Sequence, residues 1–143
     1  MTLPTPIRDI AMLLARIGVG VVFVAHGWQK LITNGVDGTA GFFEQVGVPL
    51  PTLAAWFATA VELLGGAALI LGLVVPVAGV LLLLNMIGAF VFVHAGNGLF
   101  VDQGGYELVL TLGAASLLLA AVGAGRFSLD HLLVGRRRAA NRA

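Results

Sequence analysis

Four long apolar stretches run through this 143-residue chain, at residues 10–32, 53–74, 77–93 and 106–122. A helix that crosses a membrane needs about 20 mostly apolar residues. These stretches are too long for strands inside a sheet, and their Leu and Ala content favours helix. The sequence therefore predicts an all-α fold, a four-transmembrane-helix bundle that forms a single domain over residues 1–143.

The composition supports a membrane location. Hydrophobic residues make up 59% of the chain and charged residues 10%, whereas a soluble domain has about 25% charged residues. Because so few polar residues cannot cover the surface of a soluble protein, we expect this chain to lie in a lipid bilayer. The net charge of +1 gives no indication of nucleic-acid binding, and the absence of cysteine excludes a thiolate metal site or a dithiol redox cycle carried by this chain.

The charge distribution predicts the orientation. The two longer loops, residues 33–52 and 94–105, carry acidic residues but no Lys or Arg. Basic residues gather at the two ends of the chain, as Arg8, Arg126, Arg136, Arg137, Arg138 and Arg142. Positive charge is retained on the cytoplasmic side of membranes. We therefore expect a multi-pass protein of the inner cell membrane with both termini cytoplasmic.

A short amphipathic segment is predicted in the basic C-terminal tail, residues 126–143. Ser128 is a plausible N-cap for a helix, and Asp130 is favourable in its first turn. The apolar residues of this segment are expected on the inner membrane surface, with the arginines at anionic lipid: Phe127, Leu129, Leu132 and Leu133.

Polar residues inside the apolar stretches are the strongest functional candidates, because an ionisable group there costs about 2.5–3.5 kcal/mol on insertion. They are Arg16, His26, Lys30, Glu62, Asn85, His94 and Glu107. Helical spacing places the first three on one face of the first helix. We expect all of these residues except Arg16 to line a pocket that opens outward, with Glu62 paired to His26 or alternatively to Arg16.

Each candidate also has a structural alternative, which for Glu62 is a pair with Arg16 or His26 that only fixes the packing of the helices. Lys30 is long enough to reach the membrane interface, and Asn85 can form a hydrogen bond between two helices. His94 and Glu107 lie at helix ends, where polar residues are common. Gly65 and Gly66 are predicted to let the second helix approach a neighbour closely, because small residues drive helix contact in lipid.

Two histidines raise the question of a bound metal or haem. Haem held by two histidines needs both rings at one depth, a condition that His26 and His94 meet poorly. A metal site that combines them with Glu107 is conceivable, but the spacing is not diagnostic. The sequence therefore predicts neither metal nor haem, and the cofactor stays unassigned.

Several motifs in order resemble the DoxX family: HGWQKL, VELLGGAALILGL, YELVLTL and GAGRFSLDHLL. The resemblance runs from Arg8 to Leu133 and implies a small four-helix membrane protein. It also implies a link to thiosulfate:quinone oxidoreduction or to oxidative-stress defence beside thiol-redox partners. The residues that match the recurrent pattern are His26, Gly27, Lys30, Glu62, Gly65, Gly66, Tyr106 and Glu107. The family supplies no settled catalytic residues, and the missing cysteines argue against direct sulfur chemistry here.

Three functions remain open from the sequence. The first is a subunit of a redox-linked membrane complex with a quinone-sized pocket, joined to a redox partner. The second is a small transporter with Glu62 as a proton-coupled site. The third is a structural or assembly protein, alone or as a homo-oligomer. Four helices without a cofactor motif favour a subunit over an enzyme that acts alone.

Overall fold

The computed structural model describes residues 4–133, which form an all-α membrane bundle. Within this range the helices are α1 (Thr5–Thr33), α2 (Gly35–Gln45), α3 (Pro51–Leu71), α4 (Val75–His94) and α5 (Glu107–Val122). The helices α1, α3 and α4 are long and apolar enough to cross a membrane, and α5 is a shorter apolar helix of 16 residues. The predicted all-α membrane bundle is confirmed.

The helix α2 lies where the sequence predicted only a loop. Three glycines in its sequence, GVDGTAGFFEQ, lower its helix propensity and hide it from a reading of the sequence. It packs against the Pro51–Ala60 part of α3. Tertiary packing therefore outweighs the weak local preference for helix.

The spans pack in sequence order. The helix α1 packs against α3, and the helix α4 packs against both α3 and α5. Because the four apolar helices alternate in direction, Thr5 and residues 129–133 lie at one end of the bundle, the terminal end. The opposite end, the loop end, carries α2 and residues 95–106. Buried side chains such as Phe23, Leu69 and Leu82 fill the centre.

Gly20 of α1 and Gly66 of α3 allow the backbones of these two helices to come into contact. A Cβ added at Gly66 would lie 2.8 Å from the carbonyl oxygen of Gly20 and 3.0 Å from the backbone nitrogen of Val24. At Gly65 an added Cβ would instead meet the side chain of Leu82 on α4, at 3.1 Å. Gly66 thus lies on the α1 side of α3, and Gly65 lies on the α4 side.

The chain after α5 folds back onto the turn between α3 and α4. The helix α3 ends at Leu71, earlier than the predicted residue 74, because Gly72 adopts φ 69°, a left-handed conformation that ends helices. The carboxylate of Asp130 accepts hydrogen bonds from the backbone N–H groups of Val74 (2.8 Å) and Val75 (3.2 Å). Asp130 therefore caps the start of α4.

The predicted N-cap at Ser128 is confirmed. Residues 129–133 are helical, and the Ser128 hydroxyl oxygen accepts a hydrogen bond from the backbone N–H of His131 at 3.2 Å. Exposed apolar side chains, among them Phe127 and Leu132, follow the predicted amphipathic pattern. The arginines from Arg136 onward lie outside the described residues.

Arg16 occupies a different place from the one expected. Its guanidinium, which is fully buried, donates to the carbonyl oxygens of Leu69 in α3 and Phe127 in the returning chain. The predicted alternative pairing of Arg16 with Glu62 is therefore wrong. The long side chain extends toward the terminal end, where carbonyls at the end of α3 have no partner within the helix.

The close contact of α1 and α3 predicts that Gly66→Leu destabilises the protein. The new side chain would collide with backbone atoms of α1, which cannot move aside as a side chain can, so we expect a loss of stability at the upper end of about 1–3 kcal/mol. Thermal melting in detergent measures it. Gly18→Leu is the matched control, since Gly18 lies on α1 with open space around its Cα. Equal melting of the two variants would contradict the contact.

The cap on α4 predicts that Asp130→Ala lowers the free energy of unfolding by about 0.5–2 kcal/mol, the usual cost of losing a helix cap. Asp102→Ala is the control, because Asp102 is an exposed acidic residue in a short turn at the other end of the bundle. If both variants melt like the wild type, the Asp130 cap does not hold the returning chain.

Candidate functional site

A cavity of about 310 Å³ lies between α2, α3 and α4 in the loop-end half of the bundle. Its base is polar and is formed by Lys30, Glu62 and Asn85. Its walls are mainly apolar and include four aromatic side chains: Phe42, Phe43, Phe57 and Phe92. A concave, largely apolar site with a few convergent polar groups is the usual form of a small-molecule site.

The base of the cavity is an ion pair joined by an amide, in which Glu62 is buried and Lys30 and Asn85 are half-buried. The ammonium of Lys30 donates to Glu62 Oε2 at 2.7 Å, and the amide nitrogen of Asn85 donates to Glu62 Oε1 at 2.9 Å. Glu62 is only 3% exposed and lies about 16 Å along α3 from its start, near the middle of a bilayer. Both carboxylate oxygens thus have donors, which offsets the cost of burying the charge.

Three turns of π-helix carry the charged and imidazole groups of the cavity, in the part of the chain that the structure describes. Lys30 lies in the turn Gln29–Thr33, Glu62 in Val61–Gly65 and His94 in Phe90–His94. A π turn contains one extra residue, so it rotates the following side chains by about 100° relative to a regular α-helix. Such turns occur frequently at functional sites.

The predicted contact between His26 and Glu62 is wrong, because Lys30 takes that place. His26 Nδ1 donates to the carbonyl oxygen of Val22 on its own helix, at 3.0 Å. The next residue, Gly27, explains why Lys30 rather than His26 contacts Glu62. A Cβ there would lie 2.9 Å from the backbone nitrogen of Leu63, so α1 and the π turn of α3 touch at this level. Lys30, one turn further along, then reaches Glu62.

His94 lines the cavity near the loop end, whereas Glu107 has another role. His94 Nδ1 donates to the carbonyl oxygen of Gly104 at 2.6 Å, which leaves Nε2 as the acceptor of the neutral ring. Glu107 Oε1 accepts the backbone N–H of Val101 at 2.7 Å and so holds the loop between α4 and α5. The structure therefore gathers Lys30, Glu62, Asn85 and His94 at one cavity and separates the other candidates from it.

The aromatic walls of the cavity were not predicted from the sequence. Phe42 and Phe43 belong to α2, which was not predicted as a helix, and adjacent phenylalanines in a supposed loop were the available signal. Among residues 4–133, no group of three or more His, Asp or Glu side chains is arranged to hold a metal ion. His26, His94 and Glu107 each bond to a separate backbone group instead.

Comparison with known proteins identifies the family. The DoxX family model matches residues 11–95. The protein named "putative oxidoreductase CatD" of Bacillus subtilis is 34% identical over 122 residues, 85% of this chain and 86% of that protein. Inner membrane protein YphA of Escherichia coli is 31% identical, over 87% of this chain and 91% of its own length.

A further relative, inner membrane protein YqjF of Escherichia coli, is 30% identical over 89% of this chain and 95% of that protein. No solved structure matches the chain significantly. The alignments with these three relatives cover 85%, 87% and 89% of this chain. The family match, residues 11–95, includes Lys30, Glu62 and Asn85 at the base of the cavity. On this evidence the chain belongs to the DoxX family of membrane proteins.

Proposed function

We propose that this protein is a membrane subunit of a redox-linked complex and that its cavity holds a quinone-type ligand. The observation that carries the proposal is the Lys30–Glu62–Asn85 cluster at the base of a cavity near the middle of the membrane. The cavity volume of about 310 Å³ lies at the small end of the range for ligand sites, about 300–1,000 Å³.

The donors and acceptors at the base suit a quinone head. An ammonium has three N–H donors, and Lys30 directs one of them to Glu62, so two remain for an acceptor oxygen of a ligand. Reduction of a quinone to a quinol takes up two electrons and two protons. Glu62 and Lys30 are a carboxylate and an ammonium in contact, a proton acceptor beside a proton donor, which suits a relay for the protons. A partner protein would supply the electrons.

The comparisons support a redox-linked role. A relative that matches 85% of this chain is named an oxidoreductase, although only provisionally. The proposal therefore assigns this chain the membrane-embedded ligand site and assigns the electron source to a partner subunit. Transport coupled to protonation of Glu62 is the second candidate, and the buried Glu62 carboxylate is the observation that favours it.

The proposal includes an orientation, with both termini cytoplasmic and the loop end outside. The acidic loops and the basic chain ends support it. We expect an alkaline phosphatase reporter to be active when it is inserted after Gly96 and inactive when it is fused after Ala143, because this reporter is active only outside the cytoplasm. The reverse pattern would contradict the orientation and would put the cavity in the cytoplasmic half of the bilayer.

Neutralising the ion pair tests the ligand site. Lys30→Met leaves a buried carboxylate without its cation and is expected to cost about 3–5 kcal/mol of stability, whereas Glu62→Gln leaves a half-buried ammonium and is expected to cost less. The double variant removes both charges and should cost less than the sum. The measurements are melting in detergent and the amount of quinone and of partner protein that co-purifies from native membranes. We expect the folded double variant to lose the quinone.

Glu44→Gln is the control, since Glu44 is an exposed carboxylate on α2, and it should retain both the quinone and the partner. A folded double variant that keeps the quinone and the partner would mean that the ion pair serves packing alone. Wild-type protein without quinone, combined with a loss of proton-coupled transport in the double variant, would favour the transporter.

A further inference from the structure

We infer that the cavity opens sideways into the bilayer, between α3 and α4, and that its ligand is a bilayer-soluble amphiphile. The head of this ligand is a flat conjugated ring with acceptor oxygens, and its tail stays among the lipid chains. The inference rests on the proposed function for the use of the cavity as a ligand site, and it adds the route of entry and the chemical class of the ligand.

The helices α3 and α4 separate on the loop-end side of Glu62. Close packing between α4 and α3 is concentrated at the π turn Val61–Gly65 and the segment Gly66–Leu71. The loop-end segment of α3, Pro51–Ala60, packs against α2 and α1 instead. The space between α3 and α4 therefore widens from Glu62 toward the loop end, and the cavity occupies this space.

The residues at the edge of this opening are apolar and exposed. Phe57 of α3 is 46% exposed, and Leu84 and Phe92 of α4 are 53% and 40% exposed. Phe57 lies about 9 Å from the loop end of α3, and Leu84 lies about 15 Å from the loop end of α4. Half of a hydrocarbon core is about 15 Å thick. The opening therefore faces lipid chains.

The direction toward the aqueous phase at the loop end is covered by α2. This wall of the cavity is formed by Phe42 and Phe43 of α2 and by Val48, which lies in the turn after α2. The hydroxyl of Thr39 donates to the carbonyl oxygen of Gly35 at 3.0 Å and lies 3.4 Å from that of Lys30, so α2 is tied to the π turn that carries Lys30. The sequence predicted a cavity that opens outward, but α2 covers the cavity on that side.

The lining predicts the class of ligand. Half of the eight phenylalanines in the chain surround the cavity. Aromatic side chains favour offset or edge contacts with another flat ring. The free N–H donors of Lys30 at the base select a head with acceptor oxygens. The small volume holds such a head, so a long apolar tail has to pass through the opening between Phe57 and Leu84.

Three glycines allow a direct test of the route, because the chain has no cysteine of its own. Gly88 lines the cavity, Gly18 lies on the lipid-facing side of α1 and Gly96 lies in the exposed loop after α4. An added Cβ at any of the three would meet no atom within 4 Å in the described part of the chain. Each can therefore be changed to cysteine and carry a spin label with little disturbance.

The full-length variants Gly88→Cys, Gly18→Cys and Gly96→Cys are labelled in detergent and reconstituted in phosphatidylcholine vesicles. Collision of the label with oxygen reports contact with lipid, and collision with a water-soluble nickel chelate reports contact with water. We expect the label at residue 88 to resemble the one at residue 18, with high oxygen and low nickel access. Nickel access at residue 88 equal to that at residue 96 would overturn the lateral route.

Ligand binding provides the second measurement. Wild type, Gly88→Leu and the matched control Gly18→Leu are placed in nanodiscs, and binding of a benzoquinone with a decyl tail is titrated. We expect Gly88→Leu to weaken binding about tenfold or more, because the added side chain fills the cavity, and Gly18→Leu to bind as the wild type does. Equal binding by both variants would overturn the assignment of this ligand class to the cavity.

The two measurements separate the inference from the proposed function. Lipid access at residue 88 without binding of the decyl benzoquinone by the wild type would uphold the lateral route and contradict the quinone-type ligand. Binding that Gly88→Leu abolishes, together with nickel access at residue 88, would uphold the ligand site and contradict the lateral route.

Discussion

The close approach of α1 and α3 is the contact on which the rest of the bundle depends. In lipid there is little hydrophobic drive between helices, so association relies on tight packing of small residues and on polar bonds. Gly20 and Gly66 bring the two backbones together, and Gly27 does the same one level further along. This spacing places Lys30 within 2.7 Å of Glu62. A larger side chain at the contact would separate the helices and the ion pair together.

Two pairs of charged residues have different tasks in the two halves of the bundle. At the terminal end, Arg16 and Asp130 bond to backbone groups and fasten the chain after α5 to the turn between α3 and α4. In the loop-end half, Lys30 and Glu62 bond to each other at a cavity. Charges that satisfy helix ends add to the fold, whereas a pair beside open space has capacity left for a ligand.

The sequence predicted the apolar helices and all three residues of the cavity base, but it assigned the wrong partner to Glu62. Hydropathy located the spans to within a few residues, and the cost of intramembrane charge singled out Glu62 and Lys30. It assigned His26 as the partner of Glu62 because a rise of about 1.5 Å per residue placed Lys30 further from the level of Glu62 than His26. The helix α2 stayed hidden because its glycines weaken the local signal, while the contacts that stabilise it come from α3.

Sequence alone determined that this chain is a membrane protein with an all-α bundle, and it singled out Arg16 and Glu62, both of which are buried, as charged residues within the apolar stretches. Composition and a rise of about 1.5 Å per residue are sufficient for those conclusions. Only the tertiary structure decided which of these residues meet. Each π turn shifts the helix face by about 100°, and the turn that carries Glu62 lies where α3 packs against α1 and α4. The partners of Glu62 therefore depend on contacts between helices, which no single stretch of sequence contains.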